Sequence, residues 1–502
     1  METICSLDIQ YSKAISTLLA SPSPQALQGY FDQLLAKRQC SGIKIRQSND
    51  VGKGVYAEAN YMEGDLVLKD QMLVGTQHVS NKVDALVCSY CFRYIGSIEL
   101  QIGRKLYLQG LGKGEGEEFE LGTSKHIQKE GCLAESLHLR ENHSVMAGHS
   151  DSDSASSSKS EDNAYLPLPK EVIESLINGE LVLPYSKEFV LPSVISCVGG
   201  CAEEHYCSKS CAEADWESCH SLLCMGERSG CRNMEALARF TEHANGTNDI
   251  FHLAAKVISS TILKCEKFKA AQFKDNEPYF GPNALGTNLL LEAWRPFSMG
   301  YKRRWWDCVA LPNDIDCNQE ASFRMQMREL AFTSLQLLKD SIFCEDYAPL
   351  FSLEIYGNII GMFELNNLDV VVASPVEDYF IYIDDLLFPK KEEAMEVTQP
   401  ILKALGDDYS ICCQGTGFFP LQSCMNHSCS PNAKAFKRDE DRDGQAIIVA
   451  VRDIHTGEEI TISYIDEDLP YEERQAALAD YGFKCTCPKC LEESKHCSSL
   501  EK

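Results

Sequence analysis

The chain has 502 residues, of which 44% are hydrophobic and 24% charged, and this composition excludes a wholly disordered or fibrous protein. Its length predicts about three domains, or one large domain with insertions. Asp and Glu outnumber Lys and Arg by 74 to 47, a formal charge of −27. This charge disfavours direct, nonspecific binding of duplex DNA, which relies on cationic side chains, and favours a basic protein partner. Acidity that serves solubility alone is the alternative.

We expect no secretory signal and no membrane partner. Residues 1–10 lack a basic segment followed by a long apolar run. No stretch approaches the roughly 18 apolar residues of a membrane span. The chain is therefore predicted to be intracellular. In a reducing compartment its 24 cysteines are expected to bind metal where they cluster, and not to form disulfides.

The N-terminal two thirds of the chain show several predicted elements in order. Residues 1–40 are predicted to be helical, with a break at Pro22 and Pro24. Residues 43–74 predict short strands separated by turns. An insertion over 92–196 is longer than ordinary loops, and its low-complexity centre, 150–164, is predicted to be disordered. Apolar residues at helical spacing predict amphipathic helices around 251–262 and 323–342.

The C-terminal part is predicted to return to short strands. The candidates are NIIGMFEL (358–365), DYFIYI (378–383), AIIVAV (446–451) and EITISYI (459–465). A helix is expected after Pro470, because proline is favoured in the first turn of a helix.

A first cysteine-rich group has ligand spacing suited to zinc. It contains seven cysteines and one histidine: Cys88, Cys91, Cys197, Cys201, Cys207, Cys211, His220 and Cys224. Zinc takes four such ligands in a tetrahedron, so eight ligands suit two structural ions. The alternative is that Cys88 and Cys91 are ordinary thiols and one zinc binds. Cys219 and Cys231 are nearby cysteines outside the expected ligand set.

A second cysteine group lies near the C-terminus. Cys485, Cys487 and Cys490 supply three thiolates, and Cys429 is the candidate for the fourth. A zinc ion bound by all four would fasten the C-terminal segment onto the strand region. The alternative is a tail of free thiols.

The segment YCSKSCAEADWESCHSLLC (206–224) resembles the second half of a MYND finger. The resemblance implies interleaved pairing, with Cys88, Cys91, Cys207 and Cys211 on one zinc and the other four ligands on the second. It also implies a proline-rich peptide as a partner of the finger. Two features depart from the family: the third pair is spaced by three residues where two are usual, and the long insertion separates the first pair from the rest.

Three further segments carry a second resemblance: VGKGVYA (51–57), SCMNHSCSPNA (423–433) and GEEITISYID (457–466). Together and in this order they resemble the SET-domain lysine methyltransferases, and within them the SET-and-MYND group and its plant trithorax-related branch. The implied fold is a mainly β SET fold of small sheets with pseudoknot-like C-terminal threading. Helical insertions, an inserted MYND finger and a cysteine-rich post-SET segment would complete it.

The resemblance also implies a division of the chain into six parts. They are an N-terminal helical segment (1–40), the first part of the SET domain (41–87), a split MYND-type finger with its insertion (88–224), a helical SET insertion (225–350), the catalytic SET core (351–466), and a post-SET zinc segment with the tail (467–502).

Site residues follow from the same resemblance. Tyr464 would be the catalytic tyrosine, which orients the substrate amine and also borders the cofactor. The other cofactor-binding residues would be Gly52, Lys53, Gly54, Ser423, Asn426, His427, Tyr481 and Phe483. Each has an alternative: a plain glycine turn, a histidine satisfied within its turn, or aromatic side chains that only pack. Asn366 resembles a further position near the cofactor.

The predicted activity is S-adenosylmethionine-dependent N-methylation of protein lysine, with about three zinc ions bound. Such an enzyme must align a neutral lysine amine with an activated methyl group and exclude water. The expected substrate is a histone H3 tail, in the nucleus and with a role in transcription, and direct sequence-specific DNA binding is not expected. The alternatives are methylation of other lysine-bearing proteins, including in the cytoplasm, and a scaffold with an idle SET site.

Overall fold

A computed structural model describes residues 5–48, 52–113, 168–274, 282–300, 302–312, 315–316, 318–438 and 440–500. The predicted disordered segment 150–164 lies outside these residues. Helices α1 (Ser6–Gln10), α2 (Ser12–Leu19) and α3 (Pro24–Arg38) confirm the predicted helical N-terminus. The chain breaks before α3, where Ser23 Oγ accepts a hydrogen bond from the Ala26 N–H and Pro24 occupies the first turn.

The remaining helices are α4 (Ile98–Lys113), α5 (Lys170–Ile177), α6 (Lys209–Asp215), α7 (Ser221–Leu223), α8 (Met234–Thr247), α9 (Ile250–Lys274), α10 (Pro282–Ser298), α11 (Trp305–Cys308), α12 (Glu320–Ile342), α13 (Leu353–Asn366), α14 (Pro375–Asp385), α15 (Lys390–Leu405), α16 (Tyr471–Asp480) and α17 (Pro488–Leu500). A π-helical turn, Trp216–His220, joins α6 to α7, and a 3-10 turn spans Gln422–Cys424.

The strands are β1 (Ile43–Ser48), β2 (Gly52–Ala57), β3 (Leu66–Asp70), β4 (Val74–Gln77), β5 (Ile195–Ser196), β6 (His205–Tyr206), β7 (Asn367–Val372), β8 (Cys413–Phe418), β9 (Asn426–His427), β10 (Ala433–Ala435), β11 (Ala446–Ala450) and β12 (Glu459–Ile462).

Four small sheets are formed from these strands. One has the order β1-β2-β12-β9, with β12 antiparallel to β2 and parallel to β9. The others have the orders β10-β11-β3, β4-β8-β7 and β5-β6. In the first sheet, strands from the beginning and end of the chain are neighbours, so it joins regions about 400 residues apart in sequence.

Separate hydrophobic cores stabilise the sheets and the helices. Phe31, Ile45, Val55 and Ile460 are fully buried between α3 and the first sheet. A larger core lies among α8–α13, and a third packs α4 and α5 against α14 and α15. Helices α9 and α12 confirm the two predicted amphipathic helices.

The prediction of a mainly β fold is not what the structure shows, because helical residues outnumber strand residues among those described. Residues 358–365 lie in α13 and residues 378–383 lie in α14, so two predicted strands are wrong. Helix α13 is buried almost all round, and a short apolar run without a polar face does not distinguish a buried helix from a strand. The segments 446–451 and 459–465 contain β11 and β12 as predicted, and α16 follows Pro470.

No described helix combines the length and the apolar character needed to cross a membrane.

Candidate active site and zinc centres

The pairing of β9 with β12 brings together two segments that sequence analysis singled out. Asn426 lies opposite Thr461, and His427 lies opposite Ile462. The backbone N–H of Tyr464, two residues beyond β12, donates to His427 Nδ1 over 3.0 Å. The Tyr464 hydroxyl donates to the Met425 carbonyl over 2.6 Å. Tyr464 therefore lies beside the Asn426–His427 strand, held through its backbone N–H by His427 and through its hydroxyl by Met425, the residue before that strand.

The glycine-rich strand β2 borders the same place. Asn426 Nδ2 donates to the Lys53 carbonyl over 2.9 Å and to Glu459 Oε1 over 2.7 Å, and so connects β2, β9 and β12. A Cβ at Gly54 would stand 2.6 Å from Glu459 Oε1 and 3.0 Å from the Tyr56 ring, so a larger residue would push the Glu459 side chain away from Asn426. Gly52 has a φ of +75°, which also favours glycine. Lys53 Nζ donates to the Met299 carbonyl.

Aromatic rings surround the Tyr464 side chain. Its ring centroid lies 5.4 Å from that of His427, 5.2 Å from Tyr481 and 6.4 Å from Phe483. The rings of His427 and Phe483 are 6.0 Å apart. Phe483 remains 36% exposed, so it leaves part of an aromatic surface open beside Tyr464. We refer to His427, Tyr464, Tyr481 and Phe483 as the aromatic cluster.

The protonation states of this cluster follow from its burial. Burial, with a smaller contribution from Tyr481, raises the pKa of the Tyr464 phenol well above its usual value, so the phenol remains protonated at neutral pH. Burial, reinforced by Arg474, lowers the pKa of His427 to about 4. His427 is therefore neutral at neutral pH. Because its Nδ1 accepts the Tyr464 N–H, its proton is on Nε2, 3.1 Å from Cys429 Sγ.

A buried carboxylate positions the turn that precedes Asn426. Asp70 at the end of β3 is fully buried and accepts the N–H groups of Leu421 and Gln422 over 2.8 and 2.9 Å. Arg38 at the end of α3 forms an ion pair with it. Ser423 lies on this 3-10 turn, and its hydroxyl lies 3.4 Å from the Pro420 carbonyl. Sequence analysis missed Asp70 and Arg38, which carry no motif.

The twelve predicted zinc ligands form three groups of four. The groups are Cys88, Cys91, Cys207 and Cys211; Cys197, Cys201, His220 and Cys224; and Cys429, Cys485, Cys487 and Cys490. Within each group the ligand atoms all lie within 4.8 Å of one another. The first two sets are those that the MYND resemblance implies, and Cys429 lies in the last group as the fourth candidate ligand.

The geometry within the groups fits zinc. Tetrahedral zinc with Zn–S bonds of about 2.3 Å places sulfur atoms ~3.8 Å apart. The Cys197–Cys224, Cys429–Cys485 and Cys429–Cys490 Sγ distances are 3.8, 3.9 and 3.5 Å. The eleven cysteines of these three groups form no disulfides. Cys219 Sγ instead contacts Asp215, and Cys231 Sγ contacts the Ser341 carbonyl, so both lie outside the groups as expected.

Two residues of α16 support the third group and were missed by sequence analysis. Gln475 Nε2 donates to Cys490 Sγ over 3.2 Å, while its Oε1 accepts the Cys485 N–H. The Arg474 guanidinium is buried and lies 3.9 Å from Cys490 Sγ, where its charge favours a thiolate. A sequence pattern that could have pointed to Arg474 and Gln475 is their position in the helix predicted after Pro470, just before the cysteines. The third group thereby joins α16, α17 and the residues just after β9.

Comparisons with known proteins decide the family. The SET domain family model matches residues 311–465. Histone-lysine N-methyltransferase ATXR2 of Arabidopsis thaliana is 57% identical over 495 residues, which cover 98% of this chain and 99% of that protein. The chain belongs to the SET-domain lysine methyltransferases. More distant relatives include chicken protein-lysine N-trimethyltransferase SMYD5, 22% identical over 63% of this chain and 70% of that protein. Human histone-lysine N-methyltransferase SMYD3 is 34% identical over 21% of this chain and 26% of that protein.

This SET-domain enzyme is a protein-lysine N-methyltransferase that uses S-adenosylmethionine. When bound, this cofactor supplies a methyl group on a positively charged sulfur. The residues present fit such a group, because aromatic faces attract cations and stack on purine rings. The partly open face of Phe483 beside Tyr464 and Tyr481 is such a surface.

Proposed function

We propose that this enzyme methylates histone lysine in the nucleus, with the histone H3 tail as its substrate. The name of the Arabidopsis relative, a histone-lysine N-methyltransferase similar over nearly the full chain, supports this substrate class. The formal charge of −27 suits a basic tail. The observation that carries the assignment of the site is the contact between Tyr464 and the Asn426–His427 strand inside an aromatic cluster.

Within this proposal, Tyr464 is the catalytic residue and acts by position. Its hydroxyl is a protonated donor, so it cannot take the proton of the incoming lysine ammonium. A lysine amine must be neutral to react, and its ordinary pKa is about 10.4. We assign deprotonation to an apolar channel lined by Tyr464 and Tyr481, which disfavours the ammonium form, with water as the proton acceptor.

The remaining predicted residues would hold the cofactor. Gly52, Lys53 and Gly54 would contribute backbone groups, and Ser423, Asn426 and His427 would lie along its other side. The side-chain amide of Asn426 already uses both of its N–H groups, which donate to the Lys53 carbonyl and to Glu459. We therefore propose that Asn426 mainly fixes the shape of the site. Phe483 would cover the adenine ring. Asn366, whose Nδ2 donates to the Met362 carbonyl at the end of α13, would be a further residue near the cofactor.

The cysteine groups support the proposed domain assignment. We assign the first two groups to a split MYND-type finger over 88–224, with a proline-rich peptide as its ligand, and the third to a post-SET zinc segment over 467–502. The N-terminal helices 1–40, the SET segments 41–87 and 351–466, and the helical insertion 225–350 complete the assignment. The agreement of both interleaved ligand sets with that finger supports it.

The experiment that tests the function is methyl transfer from labelled S-adenosylmethionine to purified core histones. Wild-type protein should label histone H3, and Tyr464→Phe should bind the cofactor but lose most of the transfer. If the enzyme labels other nuclear or cytoplasmic proteins but does not label histones, its substrate is a non-histone protein. Cofactor binding with no transfer to any protein would favour the scaffold alternative.

A further inference from the structure

An exposed apolar surface lies away from the aromatic cluster, at the far end of α14. It consists of Val190, Ile381, Tyr382, Leu387 and Phe388, which are 85%, 51%, 37%, 82% and 77% exposed. We refer to these five residues as the apolar tip. Contiguous apolar surface on a folded protein commonly marks a site of interaction, whereas single exposed apolar side chains need no explanation.

Ring contacts join α14 to the segment before β5, the two segments that carry the residues of the apolar tip. The Tyr382 ring lies 5.9 Å from the ring of Tyr185 and 5.6 Å from that of Phe189, the residue before Val190. Ile381 and Tyr382 lie on the outer side of α14, since Tyr379, Phe380 and Ile383 form its buried side. Leu387 and Phe388 directly follow the helix. The side chains beneath the tip thus belong to a packed core, which gives the surface a rigid base.

Acidic side chains border the apolar tip. Asp385, Glu392 and Glu393 are exposed and form no ion pair among the described residues. Asp384 is exposed as well, and Lys391 pairs with it over 2.6 Å. From 375 to 396 the only basic residues are Lys390 and Lys391. This border of negative charge selects against an acidic partner and favours one in which basic residues flank apolar ones.

We propose that the apolar tip and its acidic border bind the basic protein substrate at a second place, outside the catalytic channel. This inference rests on the proposed function, because the occupant is the lysine-bearing histone itself. Strand β7 and helix α14 lie between the two places along the chain: Asn367 at the start of β7 pairs with Phe418, shortly before the Gln422–Cys424 turn, and the tip begins at residue 381 on α14. Strand β7 is about 20 Å long and α14 about 16 Å long, so roughly eleven extended residues of a substrate would cover the whole path.

A binding experiment with the full chain tests the proposal independently of catalysis. The probe is the purified H3–H4 histone tetramer, and the variant is Leu387→Ser/Phe388→Ser. Both side chains are exposed, so the fold should persist. Binding should weaken about tenfold, which corresponds to ~1.4 kcal/mol. Met62→Ser is the matched control, because Met62 is 69% exposed on the turn between β2 and β3, outside the tip. It should bind as wild type does.

Kinetics then separate a second binding place from the channel. With intact histone, the KM of Leu387→Ser/Phe388→Ser should rise about tenfold with kcat unchanged, as expected when binding energy is lost equally from ground and transition states. With a short H3 tail peptide, both constants should stay at wild-type values. Glu392→Lys/Glu393→Lys should weaken tetramer binding mostly at low salt, because exposed charges are screened.

Three results would overturn the proposal. The first is unchanged tetramer binding by the double serine variant. The second is an equal loss with tetramer and short peptide, which would indicate damage to the channel. The third is a lower molar mass for the double serine variant than for wild type in light scattering. This result would show that the tip binds a second copy of the chain. If wild-type protein methylates no histone but its binding of the tetramer still depends on the tip, the proposed function is rejected. The proposal that the tip is a binding surface then still holds.

Discussion

Replacement of Cys487 by serine tests whether the proposed third zinc centre maintains the wall of the proposed cofactor site. Cys487 is one of the four candidate ligands in that group, and serine does not supply a thiolate. Burial alone would raise its pKa, but the N–H groups of Cys490 and Cys429 lower it to about 7, which makes it ready to bind metal. Tyr481 and Phe483 precede Cys485 by four and two residues. Loss of the metal should therefore loosen both aromatic side chains.

The size of the effect follows from the ring contacts that depend on this segment. They are the pairs Tyr464–Tyr481, Tyr464–Phe483 and His427–Phe483. At about 0.5–1.5 kcal/mol for each aromatic pair, the three contribute roughly 1.5–4.5 kcal/mol. S-adenosylmethionine would have to order the loosened segment on binding, so its Kd should rise at least tenfold, since tenfold corresponds to about 1.4 kcal/mol.

The assay combines metal analysis with calorimetric titration of the cofactor. Wild type should contain about three zinc ions, since twelve ligands suit three tetrahedral sites, and Cys487→Ser should contain about two. Cys231→Ser is the control, because that thiol is partly buried, donates to the Ser341 carbonyl and lies outside the three ligand groups. It should retain full zinc and affinity. Cofactor affinity that stays at the wild-type value after loss of one zinc would refute the reasoning.

Three further predictions concern Asp70, Tyr464 and Lys302. Asp70→Asn should destabilise the protein by about 3–5 kcal/mol in denaturant unfolding, because it leaves the Arg38 guanidinium without its buried partner; a change below 1 kcal/mol would contradict this role. Tyr464→Phe should lower kcat at least tenfold while cofactor Kd changes little, measured by single-turnover transfer, because only the hydroxyl that positions the amine is removed. Burial, with Lys53 nearby, lowers the pKa of Lys302 to about 8, so wild-type stability should rise between pH 8 and the unfolded pKa near 10.4 as its buried charge is lost. In Lys302→Met this part of the rise in stability should be absent. Identical pH profiles of stability for wild type and Lys302→Met would show that burial does not disfavour the charged form of Lys302.

The parts of the proposed site that depend on local residue spacing could be predicted from the amino-acid sequence. The Asn426–His427 motif, the twelve candidate zinc ligands and the later Tyr464 strand could all be proposed from the sequence, and the structure brings the members of each group together. Zinc ligands occur as closely spaced pairs because one turn of the chain must present both to the same metal ion. Such pairs are visible in the sequence. Helices α9 and α12 were predictable for a similar reason, since each has one apolar side at helical spacing.

Other features depend on contacts between distant residues and were decided only by the tertiary structure. Helices α13 and α14 contain segments that favour strands by composition, yet burial of their side chains in helical cores determines their conformation. The ion pair of Arg38 with Asp70, the contact of Asn426 with Glu459 and the support of Cys490 by Gln475 have no spacing that a sequence pattern could reveal. Each joins side chains whose proximity follows from the folding of whole elements, because local preferences are weak compared with the free energy of packing.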